Sequence, residues 1–386
     1  MRLFILFFGL LFLVSGCAMF RPIQKSKLLP VFHLIEGSRF NEAKGVIDDL
    51  IGHPEAAGWP RTWYARGLLS HNAWREGISK NDRKLTELYP DQLYVVFESY
   101  RMADSLDIGG RLNRQLRPRY VMLANDFQRF GERQFVACNF GEALRAFEHS
   151  LKIAGIPELK LKPDSNLLYN AALAAYDGNN WSRAITHLNV LNQNRHSANV
   201  AHLLFNAWLA KADTLSAEKV MLGAIEAFPE NEILVLLLAD LYENYGQPQA
   251  ALSTLNEAIQ RHPDNYIFHN SKGMIYQKQA NFQEAIDAYL EARRLSPENI
   301  MVFVNLATCY YNIGVEIERN SLSLTNISQV MIERERSGRA FQSAISWLDK
   351  AYEADSSNRE TLVKLLDLYR ALRITDKVLS LETKIR

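Results

Sequence analysis

The chain has 386 residues, with 44 Lys and Arg against 43 Asp and Glu, and the formal charge of +1 excludes a protein held to polyanions by charge, such as a general nucleic-acid binder. Hydrophobic residues make up 48% and aromatics 11%, which excludes disorder as a description of the whole chain. Three cysteines, at 17, 138 and 309, are too few for a disulfide scaffold.

Met1-Arg2 precedes an apolar run from Leu3 to Val14, followed by Ser15-Gly16-Cys17. A run of about a dozen apolar residues falls short of the roughly 20 that span a bilayer, and it fits the apolar stretch of a signal peptide over residues 1–16. Val14-Ser15-Gly16-Cys17 resembles the lipobox of bacterial lipoproteins, which implies that residues 1–16 are removed and that Cys17 becomes the lipidated first residue. An ordinary secretory signal cut nearby is the alternative. Each buried methylene contributes ~0.8 kcal/mol, so two or more acyl chains on one residue anchor it stably. Residues 17–27 then form a short tether. No Asp follows the cysteine and no acidic cluster follows it; the resemblance therefore implies the periplasmic face of the outer membrane. Without residues 1–16 the chain has 43 charges of each sign, so steering to an anionic surface is not its expected main device.

Residues 28–120 read as divergent helical repeats. Leu28 to Leu50 forms a helical hairpin turning near Gly37-Ser38, and Arg61 to Trp74 pairs with Asp91 to Leu106 after an excursion through Ile78 to Pro90. Residues 121–386 are organised by a period of 34: Pro229, Pro263 and Pro297 keep that step, as do Asn231, Asn265 and Asn299, and the aromatic series Trp208, Tyr242, Tyr276 and Tyr310. Within each period apolar residues fall at helical spacing in two stretches separated by turn signals, so each unit is a helix hairpin. Small residues such as Gly273 and the recurring alanines belong where paired helices approach closely. Aromatics fill the gap toward the next unit. The units are 198–231, 232–265 and 266–299, with drifted ones at 124–157, marked by Gly131, Ala143 and Phe147, and at 165–197, marked by Ala172, Ala184 and Leu188. From Ile313 to Gly338 the pattern predicts two extended helices with a turn near Asn320 to Thr325, a protruding hairpin. Arg359 to Arg386 supplies a cap.

Gly273, Tyr276, Ala285, Tyr289, Ala292 and Pro297 give residues 266–299 a pattern that resembles the tetratricopeptide repeat, with His269 where that family's usual Trp stands. The resemblance implies an all-α, right-handed superhelical solenoid of antiparallel helix pairs. The whole is also similar to tetratricopeptide lipoproteins of Bacteroidetes-type bacteria.

Residue strings for catalysis are scarce. No G-x-S-x-G, no G-x-x-x-x-G-K-[ST] and no H-E-x-x-H occurs. Ser216-Ala217-Glu218-Lys219 matches S-x-x-K without its companion motifs, and Ala217 is a repeat core position. No enzyme, metal or cofactor is expected. Cys138 and Cys309 read as core thiols. Arg101, Arg111, Arg114, Arg117, Arg119, Arg129 and Arg133 outnumber Asp104, Asp107, Asp126 and Glu132, which reads either as a solvated face or as a patch for an acidic partner or lipid phosphates.

In the tetratricopeptide family the first helix of each repeat lines a concave face. Carrying its lining positions across implies a groove of Tyr169 and Tyr176, then His202 and Asn206, then Asp240, Glu243 and Asn244, then Asn270, Gln277 and Lys278, and last Thr308, Tyr311 and Asn312. Amides, tyrosines and alternating charge suit an extended polypeptide or a partner helix; the other reading is a merely wet groove. The family's carboxylate clamp needs a Lys at the position that reads Tyr169, His202, Leu236, Asn270 and Val304 here, so a C-terminal carboxylate is not the expected ligand. The resemblance thus implies a non-enzymatic outer-membrane scaffold binding protein partners of envelope assembly or secretion. The alternatives are an adaptor regulating peptidoglycan enzymes or a periplasmic protease, and a glycan- or nutrient-uptake lipoprotein.

Overall fold

The Pro and Asn of the 34-residue period mark where one helix stops and the next begins. Pro cannot donate within a helix, and an Asn side chain satisfies the free N–H groups of the following first turn. Asn265 accepts from the backbone of Ile267 at 3.0 Å and Asn299 from Val302 at 3.3 Å, while Asn231 holds the same place without such a bond. A second landmark sits at the turn inside five of the hairpins. Cys138, Asn179, Ala212, Gly246 and Ala280 all take left-handed backbone, with φ from 56° to 70°.

The computed structural model describes residues 28–162, 164–357, 359–372 and 374–385. The leader, Cys17 and the tether lie outside them. Among the described residues there are helices and no strand.

The chain divides into two units between His187 and Leu188. The first holds α1 (Leu28–Glu36), α2 (Phe40–Gly52), α3 (Pro54–Ala57), α4 (Pro60–Lys80), α5 (Arg83–Thr86), α6 (Gln92–Leu106), α7 (Asn113–Val136), α8 (Phe140–Ala154) and α9 (Ser165–Asp177), and the division falls within α10 (Trp181–Gln193). At residue 120, where the sequence pattern changes, α7 runs through and one core joins Tyr64, Tyr100, Leu123 and Ile153 on either side. The excursion between α4 and α6 carries the short α5. Despite it, α4 and α6 meet as a repeat pair: a β-carbon at Gly67 would stand 2.5 Å from the Tyr100 ring.

The second unit continues with α11 (Ala198–Ala210), α12 (Thr214–Ala227), α13 (Glu232–Asn244), α14 (Pro248–Arg261), α15 (Tyr266–Lys278), α16 (Phe282–Leu295), α17 (Ile300–Ser321), α18 (Ile327–Ala354), α19 (Arg359–Ala371) and α20 (Thr375–Ile385). From α13 onward each first helix buries an apolar stripe against its own second helix and the second helix before it. Leu234, Leu238 and Leu241 of α13 thus share a core with Met221 of α12 and Leu255 of α14. The aromatic series bridges units as expected, with the Tyr242 hydroxyl donating to Glu218 of the preceding hairpin at 2.7 Å. By length and composition α17 could cross a membrane, yet Val302, Leu306 and Cys309 are buried in the unit's core.

The extended helices expected after Ile313 are the distal halves of α17 and α18, joined by a turn at residues 322–326. Among residues 316–336 only Ser321 is buried, so the pair stands clear of the core. Its root does not, because Gly314 lies under the Phe341 ring.

Cys309 is buried and burial pushes its thiol up to about 12. Cys138 corrects the sequence expectation: it is exposed, because it occupies the left-handed turn position of its repeat and not a helix–helix contact.

Candidate functional site

In the second unit the first helices α13, α15 and α17 lie side by side, each touching the next. Three side-chain links cross between them. Lys278 Nζ donates to Glu243 Oε2 at 2.6 Å, Asn305 Nδ2 donates to Asn270 Oδ1 at 3.2 Å, and Cys309 Sγ donates to Gln277 Oε1 at 3.4 Å. Asp240 joins the charged group: burial first, then the neighbouring Glu243, raise its carboxyl above the usual carboxylate range, and Lys278 opposes them.

Gln277 departs from the groove expectation. Its side-chain oxygen also accepts from the Tyr289 hydroxyl at 2.8 Å, so this amide serves the interior of the repeat more than a ligand. Tyr311 is likewise engaged, with its ring 5.6 Å from that of Phe341, and Thr308 bonds back to the Val304 carbonyl at 2.8 Å. Thr308 and Tyr311 border a cavity of about 330 Å³ that α18 and α19 complete through Leu348, Lys364, Asp367 and Leu368. Asn312 is half-buried on the next step of α17. His202 and Asn206 are half-buried on α11, and Asn244 is exposed at the end of α13.

Tyr169 and Tyr176 belong to the first unit, on α9. Tyr176 sets its ring edge-on to Trp181 at 5.3 Å. The structure therefore brings together Asp240, Glu243 and Lys278, joins Asn270 to Asn305, and leaves Asn244 exposed at the end of α13, with Gln277 turned inward and Thr308 and Tyr311 at the rim of a cavity.

Residue typing missed the apolar members of this face. Ile233, Met274 and Met301 are exposed, at repeat positions two, nine and two, on the same helical side as the polar residues. An angle check on each first helix finds them, because they fall off its buried stripe.

Two other sequence features resolve differently. Ser216 Oγ donates at 2.9 Å to the carboxylate of Asp213, the N-cap of α12, and Ala217 is fully buried, so this S-x-x-K string belongs to a helix start and the repeat core. The seven arginines do not gather, since α7 alone carries Arg114 and Arg133 about 28 Å apart along its axis. Arg133 lies over Trp74 and Arg101 over Phe97.

The family model of the tetratricopeptide repeat matches residues 236–300. No curated protein matches the chain. Among solved structures, the C-terminal part of a tetratricopeptide repeat-containing protein from Cytophaga hutchinsonii is similar at 12% identity and TM-score 0.47, covering 67% of this chain and 93% of its own. A tetratricopeptide repeats protein from Bacteroides fragilis is similar at 17% identity and TM-score 0.34, covering 64% and 98%. MamA from Desulfovibrio magneticus, from residue 41 to its end, is similar at 12% identity and TM-score 0.36, covering 49% and 92%.

Proposed function

The chain is a tetratricopeptide-repeat protein, and from that premise we propose that it is a non-enzymatic scaffold, anchored through acylated Cys17 at the periplasmic face of the outer membrane, that holds a protein client of envelope assembly or secretion. The fold suits protein–protein interaction. The observation that carries the reading is the face of α13, α15 and α17, where the Lys278–Glu243 and Asn305–Asn270 bonds tie three repeats together beside exposed Ile233, Met274 and Met301. Apolar side chains supply contact area and the amides and charges satisfy the backbone of a bound segment, the combination an extended polypeptide or a partner helix needs. The apolar tip of the α17–α18 hairpin, with Leu322, Ile327, Met331 and Ile332 exposed, offers the client a second contact. The address rests on the lipobox-like Val14 to Cys17 and the absence of acidic residues behind it.

The test is crosslinking in cells followed by purification of the tagged chain and mass spectrometry, compared with Asn206→Ala, Asp240→Arg and Asn270→Ala combined. A discrete set of envelope components lost in the variant supports the reading; an unchanged set places the client elsewhere. Cys17→Ala moves the protein from the membrane to the soluble fraction, and retention in the membrane sinks the anchor.

A further inference from the structure

The turn between α6 and α7 holds up one apolar residue with nothing around it. Ile108 is 100% exposed at the tip of a tight turn closed by Gly110, whose N–H donates to the Asp107 carbonyl at 2.9 Å and whose φ is +63°. Below the tip lies an open groove of about 780 Å³, lined by Leu29 and Phe32 of α1, Trp59 before α4, and the cations Arg61 and Arg111. Leu29 is itself 66% exposed. Arg114, three residues after Arg111, is also exposed, and among the described residues no ion pair forms at it, at Arg111 or at Arg61. Asp107 is the carboxylate lining the groove, and its Oδ2 is bound to the Leu112 N–H at 2.5 Å.

An apolar wedge with unpaired guanidinium groups beside it matches a phospholipid surface, where the wedge enters the acyl boundary and the cations meet phosphates. The course of the chain points the same way. Leu29 lies twelve residues after Cys17, and between Cys17 and Glu36 the sequence carries Arg21, Lys25 and Lys27 with no acidic residue. A segment of that charge leading into this face adds to its attraction for an anionic leaflet.

We infer that the face formed by Leu29, Trp59, Ile108, Arg61, Arg111 and Arg114 docks on an anionic phospholipid surface and sets the orientation of the first unit on the membrane. This goes beyond the scaffold reading, because it concerns how the molecule lies and not what it holds; it stands or falls apart from the identity of any client.

The probe is an environment-sensitive fluorophore on Ile108→Cys, in the full chain with Cys17→Ser and Cys138→Ser. The control is the same label on Val136→Cys, at the far end of α7, whose 24 residues span about 36 Å. Whatever residues 1–27 contribute to recruitment is the same in both, so the comparison reads orientation. On phosphatidylcholine vesicles containing phosphatidylglycerol, the emission at 108 shifts to the blue and that at 136 does not. Raising the salt, or combining Arg61→Glu, Arg111→Glu and Arg114→Glu with helicity retained, abolishes the shift. No shift at 108, an equal shift at 136, or an equal shift on phosphatidylcholine alone overturns the proposal. A probe at 108 already blue before vesicles are added also overturns it, because the groove then holds a segment of this chain or a second copy.

Discussion

Gly273 is shaped by Tyr289: a β-carbon at Gly273 would stand 2.5 Å from the Tyr289 ring, which is fully buried and fixed by its hydroxyl bond to Gln277. The same fit of a first-helix glycine under a second-helix aromatic recurs at Gly131 with Phe147 and at Gly314 with Phe341. It lets the two helices of a hairpin approach closely while an aromatic ring fills the seam.

Gly273→Ala therefore destabilises the protein by about 1–3 kcal/mol through overpacking, although Ala favours a helix interior by about 1 kcal/mol over Gly. Gly223→Ala in α12, where nothing lies within 4 Å, gains about 0.5–1 kcal/mol. Urea unfolding of both variants checks the pair, and equal effects at the two positions contradict the fit.

Cys138 holds left-handed backbone at φ 58° on the surface. Relief of the β-carbon clash makes Cys138→Gly more stable by about 1 kcal/mol. In the native protein a thiol reagent followed by peptide mapping finds Cys138 labelled and Cys309 unlabelled until unfolding, since burial holds that thiol protonated. Comparable labelling of the two in the native state contradicts the assignment.

Gln277 collects two donors, Tyr289 and Cys309. Gln277→Ala leaves both without an acceptor and costs about 1–3 kcal/mol. Asn244→Ala, at an exposed position, changes stability by less than about 0.5 kcal/mol. If thermal unfolding finds the two variants alike, Gln277 belongs to the open face after all.

His71 joins first helices in the other unit. Its Nε2–H donates to Asp126 Oδ2 at 2.9 Å and its Nδ1 accepts from the Tyr100 hydroxyl at 3.2 Å, all three groups being buried. Burial lowers the imidazole pKa below its ordinary 6.5, against the opposing bond to Asp126. Below pH 6.5 the unfolded chain takes up a proton that the folded one refuses, so this contribution to stability falls as pH falls, until the folded pKa is passed. His71→Gln flattens the dependence below pH 6.5, with His149 still titrating in both proteins. An unchanged slope in denaturant titrations at several pH values contradicts the assignment.

Much of this architecture is legible in the period alone. Pro and Asn at steps of 34 residues place the turns, and Gly131–Phe147 and Gly273–Tyr289, each pair 16 residues apart, place two of the seams, because both depend on chemistry local to one repeat. What escapes is decided by residues far apart in the chain. Gln277 sits at a groove position by register, yet Tyr289 and Cys309 claim its oxygen. Cys138 has the size of a core residue, but its register step puts it in a turn. Met274 and Met301 look like core by type, and only their angle on the helix shows them facing outward. The His71–Asp126 pair joins residues 55 apart, across an insertion that hides the register between them.

The central claim is that a partner protein lies along the first helices of the second unit. A photocrosslinking amino acid placed in cells at Ile233, Met274 and Met301 tests it most directly, against the same group at Leu222 and Leu290, which are exposed on the second helices α12 and α16. The account predicts discrete protein adducts at the first three positions and none at the other two. Adducts confined to Leu222 and Leu290, or no adduct at any first-helix position, contradict it.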